Sequence, residues 1–118
     1  MNNKQVQTPE NMKIVEDTIE TGLHGTSYEW IAMVKHGGAI PLDDDRRLSK
    51  IVADGDTIEI RPDGDNIYYP LTRSKMMDAI AEYCLTNGYC KRCFQEECDA
   101  DMADVILQHA IFGEYRYG

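Results

Sequence analysis

Long hydrophobic runs are missing from this sequence. No stretch approaches the roughly 18 consecutive apolar residues that a membrane-spanning helix needs. The N-terminus, Met1-Asn2-Asn3-Lys4-Gln5, also lacks the apolar stretch of a secretory signal peptide. These two absences predict a cytoplasmic protein that does not contact a membrane.

Basic residues are scarce relative to acidic ones. The chain has 12 Lys and Arg residues against 21 Asp and Glu residues, which gives a formal net charge of −9. Affinity for nucleic acid depends on basic side chains that neutralise phosphates, so direct binding to nucleic acid is disfavoured. A strongly negative surface is instead attracted to basic surfaces on other proteins.

The acidic residues are concentrated in two stretches. Residues 43–65 contain eight acidic and four basic side chains, and residues 96–104 contain five acidic and no basic ones. These stretches form either an ordinary solvated surface or a polyanionic face that competes with nucleic acid for a basic groove. The second interpretation gives these candidate partner-binding residues: Asp43, Asp44, Asp45, Asp54, Asp56, Asp63, Asp65, Glu96 and Glu97.

Sequence motifs that identify an enzyme are absent as well. No glycine-rich phosphate-binding loop is present, and no recognisable motif pairs a nucleophile with a base. Asp63-Gly64-Asp65-Asn66 has the residue types of a calcium loop, but it lacks the twelve-residue frame and the terminal glutamate. The segment is better explained as a turn, and we expect no catalytic residue in this chain.

The length of 118 residues predicts a single domain, whose polar residues 1–7 should be flexible. Apolar periodicity and turn residues predict the order α-β-α-β-β-α-α, an α+β fold with a small three-stranded antiparallel sheet covered by about four helices. The first half of the chain is predicted to form a helix capped by Thr8 and ended by Gly22 or Gly25, then a strand at 28–34, then a short helix after 43–45 that stops at Asp54-Gly55. A hairpin of strands 57–61 and 67–71 follows. The last two predicted elements are a helix capped by Ser74 that ends at Asn87-Gly88 and a final helix from Asp99 or Asp101 to Gly113.

All four cysteines of the chain fall within fifteen residues. Cys84, Cys90, Cys93 and Cys98 have the spacing C-x5-C-x2-C-x4-C. Zinc prefers four soft or borderline ligands in a tetrahedron, and a C-x2-C turn supplies two of them. We therefore predict a structural Zn²⁺ ion, held by all four cysteines in a loop between the last two helices. Four protein ligands leave no position for water or substrate, which favours a structural role over a catalytic one.

Other interpretations of the cysteines remain open. His109, on the final helix, is the first candidate to complete a site of three cysteines, and the four thiols could also be free. If the thiols are free, Cys84 belongs to the apolar face of its helix. Disulfides are disfavoured because the cytosol keeps thiols reduced. A thioredoxin-like redox site needs its C-x2-C after a strand in a βαβ unit, whereas the segments flanking Cys90 and Cys93 are predicted to be helical.

The C-terminal segment resembles the final helix of small acidic proteins carried by prophages and conjugative elements of Gram-positive bacteria. Residues 99–115 read Asp-Ala-Asp-Met-Ala-Asp-Val-Ile-Leu-Gln-His-Ala-Ile-Phe-Gly-Glu-Tyr, with an acidic helix start, an apolar Val-Ile-Leu centre and an Ala-Ile-Phe-Gly end. The likeness extends more weakly over the sheet and the helix from Ser74. In size, acidity and its four-cysteine cluster, the chain resembles a zinc-containing anti-CRISPR protein acting on a type II-A effector nuclease.

This resemblance implies an inhibitor that binds the nuclease stoichiometrically in the bacterial cytoplasm and blocks nucleic-acid loading or cleavage. The guide and target channels of such a nuclease are basic, so an anionic surface is attracted to them. The alternative is a zinc-stabilised acidic interaction module of a phage or mobile element that targets another host protein, such as a restriction enzyme or a regulator.

Overall fold

The computed structural model describes residues 8–117, and at position 26 the backbone alone. The predicted flexible segment 1–7 lies outside these residues. Within the described range the chain forms five α-helices, one 3₁₀ turn and one four-stranded sheet. In chain order they are α1 (Pro9–His24), the 3₁₀ turn (Thr26–Glu29), β1 (Ile31–His36), β2 (Gly38–Ile40), α2 (Asp45–Ala53), β3 (Ile58–Pro62), β4 (Tyr69–Leu71), α3 (Arg73–Asn87), α4 (Lys91–Glu97) and α5 (Ala100–Phe112).

Local sequence explains where the helices begin and end. Thr8 caps α1, because its hydroxyl accepts a hydrogen bond from the Asn11 N–H at 3.1 Å. Asp99 caps α5 in the same way, and Gly113 ends that helix with a positive φ of 79°. These predicted boundaries are confirmed. The predicted cap of α3 is wrong, because Thr72 accepts the hydrogen bond from Lys75 N–H and Ser74 lies in the first turn.

The sheet is antiparallel throughout, as predicted, but it has four strands in the order β2-β1-β3-β4 and not three. The additional strand β2 has three residues, and a turn at Gly37 with φ of 79° pairs it with β1. The sequence analysis predicted no strand between residues 34 and 57, because a strand of three residues gives almost no periodicity. β1 also begins later than predicted, because Tyr28 belongs to the 3₁₀ turn.

The hydrophobic core lies between one face of the sheet and the helices. Val34, Ile58, Ile60 and Leu71 are fully buried on that face. α1 contacts both α2 and α5, and α3 lies beside α5. Among residues 8–117, no helix combines the length and apolar character needed to cross a membrane.

The segment predicted as a loop between the last two long helices contains a further short helix, α4. Its N-cap is Cys90, whose Sγ accepts a hydrogen bond from the Cys93 N–H at 3.2 Å. Phe94 is its one fully buried side chain and packs in the core. Seven residues with a single buried apolar side chain show no helical periodicity, which explains why the sequence analysis predicted a loop.

Candidate metal centre and acidic surface

Two of the four cysteines lie next to each other. The Sγ atoms of Cys90 and Cys93 are 2.9 Å apart, and both side chains are exposed at the start of α4. The hydrogen bond between the two thiols lowers the pKa of Cys90 and raises the pKa of Cys93. Cys90 therefore loses its proton more readily than Cys93.

Cys84 and Cys98 lie in a different environment, because both are partly buried. Cys84 lines a cavity of about 170 Å³ with Ile80 and Phe94, on the side of α3 that faces α1. Burial raises its pKa, and the charge of Cys90 adds to the effect. Burial also raises the pKa of Cys98 to about 11, with smaller contributions from Asp99 and Cys84. Both thiols therefore lose a proton less readily than an exposed cysteine.

The four thiols share one corner of the molecule but do not converge on one point. Within residues 8–117, no three His, Cys, Asp or Glu side chains are placed so that they could hold a metal ion. Zn–S bonds of about 2.3 Å in a tetrahedron require every pair of sulfur atoms to lie about 3.8 Å apart. The positions of the side chains therefore do not fit a four-thiolate site, and the zinc ion stays a prediction.

The alternative ligand His109 lies away from the cysteines. It lines a groove of about 360 Å³ between α3 and α5, together with Glu82, Tyr83 and Val105. His109 is nine residues beyond Ala100, the first residue of α5, which corresponds to about 13 Å along the helix axis. The structure does not bring this imidazole to the cysteine pair.

The acidic side chains lie almost entirely at the surface. Of the 21 Asp and Glu residues, all of which lie within residues 8–117, Asp104 alone is buried, with 1% of its surface exposed. It accepts hydrogen bonds from the Ser27 hydroxyl and the Trp30 Nε1–H, both at 2.7 Å, and from Gln108 Nε2 at 3.0 Å. The prediction that residues 96–104 form an acidic surface is therefore wrong at Asp104, which is part of the core.

Several predicted partner-binding residues have local structural roles. The Asp45 carboxylate lies 3.3 Å from Nδ1 of His24. Asp56 accepts a hydrogen bond from the Thr57 N–H, and Asp65 accepts one from the Ile67 N–H, which shapes the turn before β4. The most exposed members of the predicted set are Asp43, Asp54, Asp56, Asp63, Glu96 and Glu97.

The predicted acidic stretch 43–65 does not form one continuous patch. Asp56 precedes β3 and Asp63 follows it, so the strand separates them. At about 3.3 Å per residue, these seven steps place them about 23 Å apart, at opposite ends of the sheet. Asp45 lies elsewhere again, beside the C-terminal end of α1.

Acidic side chains of α1 lie close to the start of α2 and to one residue of α4. Asp17 and Glu20 of α1 line an open cleft with Gln95 of α4, and Glu20 lies 3.8 Å from Arg46 of α2. The sequence analysis missed these two residues, although they lie on the face of α1 opposite its apolar stripe. We take the following acids of α1, the start of α2 and α4 as one candidate surface and call it the helical acidic face: Asp17, Glu20, Asp43, Asp44, Asp45 and Glu96. Each of them except Asp43 lies 3.3 to 3.8 Å from a basic side chain.

Comparisons with protein-family models, curated proteins and solved structures find no match to this chain. The resemblance of residues 99–115 to proteins of mobile elements is therefore neither supported nor contradicted by a relative. It stays a prediction, together with the inhibitor function that it implies.

Proposed function

We propose that this protein is an inhibitor of a nucleic-acid-handling enzyme, a type II-A CRISPR effector nuclease, and that it acts by occupying a basic surface and not by catalysis. The observation that carries the proposal is the placement of the acidic side chains on a chain of net charge −9: 15 of the 21 are exposed, five are partly buried, and Asp104 alone is buried. Such a surface presents to a basic channel the same sign of charge as the nucleic acid that the channel binds.

The folded arrangement of the charges supports competition rather than catalysis. The ion pairs on the surface are mostly exposed, with separations of 3.1 to 3.8 Å, so they are weak and can exchange for pairs with a partner. Electrostatic attraction of this kind raises the rate of association and depends strongly on ionic strength. Inhibition should therefore be fastest at low salt.

We assign the interface to the helical acidic face. Residues of α1, α2 and α4 contribute to it, and its members Asp17 and Glu20 line an open cleft beside Gln95 of α4. The acids at the two ends of β3 are separated by the sheet, so a single basic channel would contact them less readily.

The test is a DNA-cleavage assay with purified type II-A nuclease, guide RNA and increasing amounts of the protein, added before or after the guide. We expect cleavage to stop near one molar equivalent, and we expect the inhibition to weaken as salt is raised from about 0.05 M to about 0.3 M. Nuclease without inhibitor at each salt concentration is the control. Undiminished cleavage at large molar excess would exclude this target.

Two variants with equal charge loss locate the interface. The first, Asp17→Asn/Glu20→Gln/Asp43→Asn, neutralises the helical acidic face. The second, Asp54→Asn/Glu59→Gln/Asp63→Asn, removes the same number of charges near the sheet. We expect the first variant to inhibit much less than the second, and equal inhibition by both would refute the assignment of the interface.

The same surface also suits another basic host protein, such as a restriction enzyme or a regulator. The charge of the chain favours this second candidate equally, because it selects a basic partner without naming it. Affinity capture from a bacterial lysate, with the three-charge variant of the helical acidic face as the matched control, distinguishes the two. A restriction enzyme or regulator captured in place of a CRISPR protein favours the second candidate.

A further inference from the structure

The paired thiols at the start of α4, Cys90 and Cys93, are more exposed to solvent than the other two cysteines. Both side chains of the pair are exposed, whereas Cys84 and Cys98 are partly buried. Cys90 is the N-cap of α4 and Cys93 is its third residue, so the helix itself fixes their separation. Their Sγ atoms are 2.9 Å apart.

This geometry is close to that of a disulfide bond. A disulfide has an S–S length of about 2.05 Å. The N-cap residue Cys90 has an extended backbone, with φ of −81° and ψ of 164°, and its Sγ lies 3.2 Å from the Cys93 backbone nitrogen and 2.9 Å from the Cys93 Sγ. The sulfur atoms need to approach by less than about 1 Å, which rotation of the exposed side chains can supply.

We propose that Cys90 and Cys93 are a reversible dithiol pair that exchanges with low-molecular-weight disulfides such as oxidised glutathione. One cysteine sulfur, as the thiolate, attacks the reagent disulfide, forms a mixed disulfide and releases one thiolate of the reagent. The second cysteine thiolate then attacks the mixed disulfide, closes the Cys90–Cys93 bond and releases the second reagent thiolate. Two electrons pass from the cysteine sulfurs to the reagent, and the two cysteine protons end on the two released thiols.

This inference does not depend on the proposed inhibitor function. It follows from the position of the pair together with the absence of a third potential ligand beside it in residues 8–117. A pair of this kind suits a reducing cytosol, because disulfides there are usually transient and respond to redox conditions.

The experiment compares two variants of the full chain, each of which retains two cysteines. Cys84→Ser/Cys98→Ser retains the exposed pair, and Cys90→Ser/Cys93→Ser retains the partly buried thiols. Chelator-treated protein is equilibrated with defined ratios of reduced and oxidised glutathione, quenched with acid and measured by intact mass. The reduced variants are first checked for folding by thermal melting, and Ala variants at positions 84 and 98 replace the Ser variants if these do not fold.

The variant that retains the exposed pair should lose the mass of two hydrogen atoms as the oxidised fraction rises, and it should regain this mass with excess reduced glutathione. Adding Cys93→Ser to it should convert the loss into a single glutathione adduct on Cys90. The variant with the partly buried thiols should show neither change under the same conditions. Two glutathione adducts on the exposed pair, no reaction there, or equal oxidation of the buried pair would each overturn the proposal.

Discussion

Replacement of Asp104 tests the buried hydrogen-bond network that joins α5 to the 3₁₀ turn. The side chain is 1% exposed and accepts hydrogen bonds from Ser27, Trp30 and Gln108. In Asp104→Ala the Ser27 and Trp30 donors would lose their acceptor inside the protein, whereas Gln108 Nε2 would keep its hydrogen bond to the Tyr117 carbonyl. Each buried donor left without a partner costs about 1–3 kcal/mol.

The sum of these costs is an upper limit, because water can enter the space that the side chain vacates and the carboxyl group no longer has to be buried. We therefore expect Asp104→Ala to lower the free energy of unfolding by about 3–5 kcal/mol. A domain of this size has about 5–15 kcal/mol in total, so the variant should be only marginally folded at 37 °C.

Two further variants distinguish lost hydrogen bonds from lost volume. Asp104→Asn can keep the bonds from Ser27 and Trp30 but places its amide N–H₂ against Nε2 of Gln108, so we expect a cost of about 1–3 kcal/mol. Ser27→Ala removes one donor. Combined with Asp104→Ala, it should therefore cost less than the sum of the two single changes, by about 1–2 kcal/mol.

The measurement is urea denaturation followed by far-ultraviolet circular dichroism, with Trp30 fluorescence as the second probe. The exposed acid Glu82 of α3 gives the matched control, because Glu82→Ala should change stability by less than about 0.5 kcal/mol. The reasoning is refuted if the free energy of unfolding of Asp104→Ala lies within about 1 kcal/mol of that of the unchanged protein.

Three other changes test separate parts of the structure. Gln108→Ala removes three hydrogen bonds to the backbone of Arg116 and Tyr117, so it should lower the free energy of unfolding by about 2–4 kcal/mol. It should also speed cleavage at Arg116 by trypsin. Unchanged cleavage would argue against Gln108 holding the C-terminal segment in place. Gly22→Ala would place a methyl group against Leu107 and should lower the free energy of unfolding by about 1–3 kcal/mol. Adding Leu107→Ala in the same chain should relieve part of this cost. If the destabilisations of the two changes were strictly additive, this packing would be contradicted. Elemental analysis of chelator-free protein should find less than one zinc ion per chain, because the four thiols do not converge on one point. One zinc ion per chain, together with a lower melting temperature after replacement of all four cysteines with serine, would instead support the four-cysteine site and contradict the free Cys90–Cys93 pair.

Short-range signals in the sequence were enough to predict most of the helices and the hairpin of β3 and β4. Thr8 and Asp99 were correctly identified as caps, and Gly88 and Gly113 as helix ends, because each forms its hydrogen bond within a few residues of chain. The same signals failed for β2 and α4, which are too short to show a period. They also placed the cap of α3 at Ser74, since this second residue of a capping type lies two positions after the observed cap, Thr72.

The sequence by itself determined the α+β class, the negative charge and the clustering of four cysteines along the chain. Tertiary structure decided that Asp104 is buried, that the acids around β3 lie at opposite ends of the sheet, and that the cysteines divide into an exposed pair and two partly buried thiols. The physical reason is distance along the chain. A cap or a turn is fixed by contacts between near neighbours, whereas the contact of Asp104 with Ser27 joins residues 77 positions apart. Such a contact exists only after α1, the 3₁₀ turn and α5 have packed together.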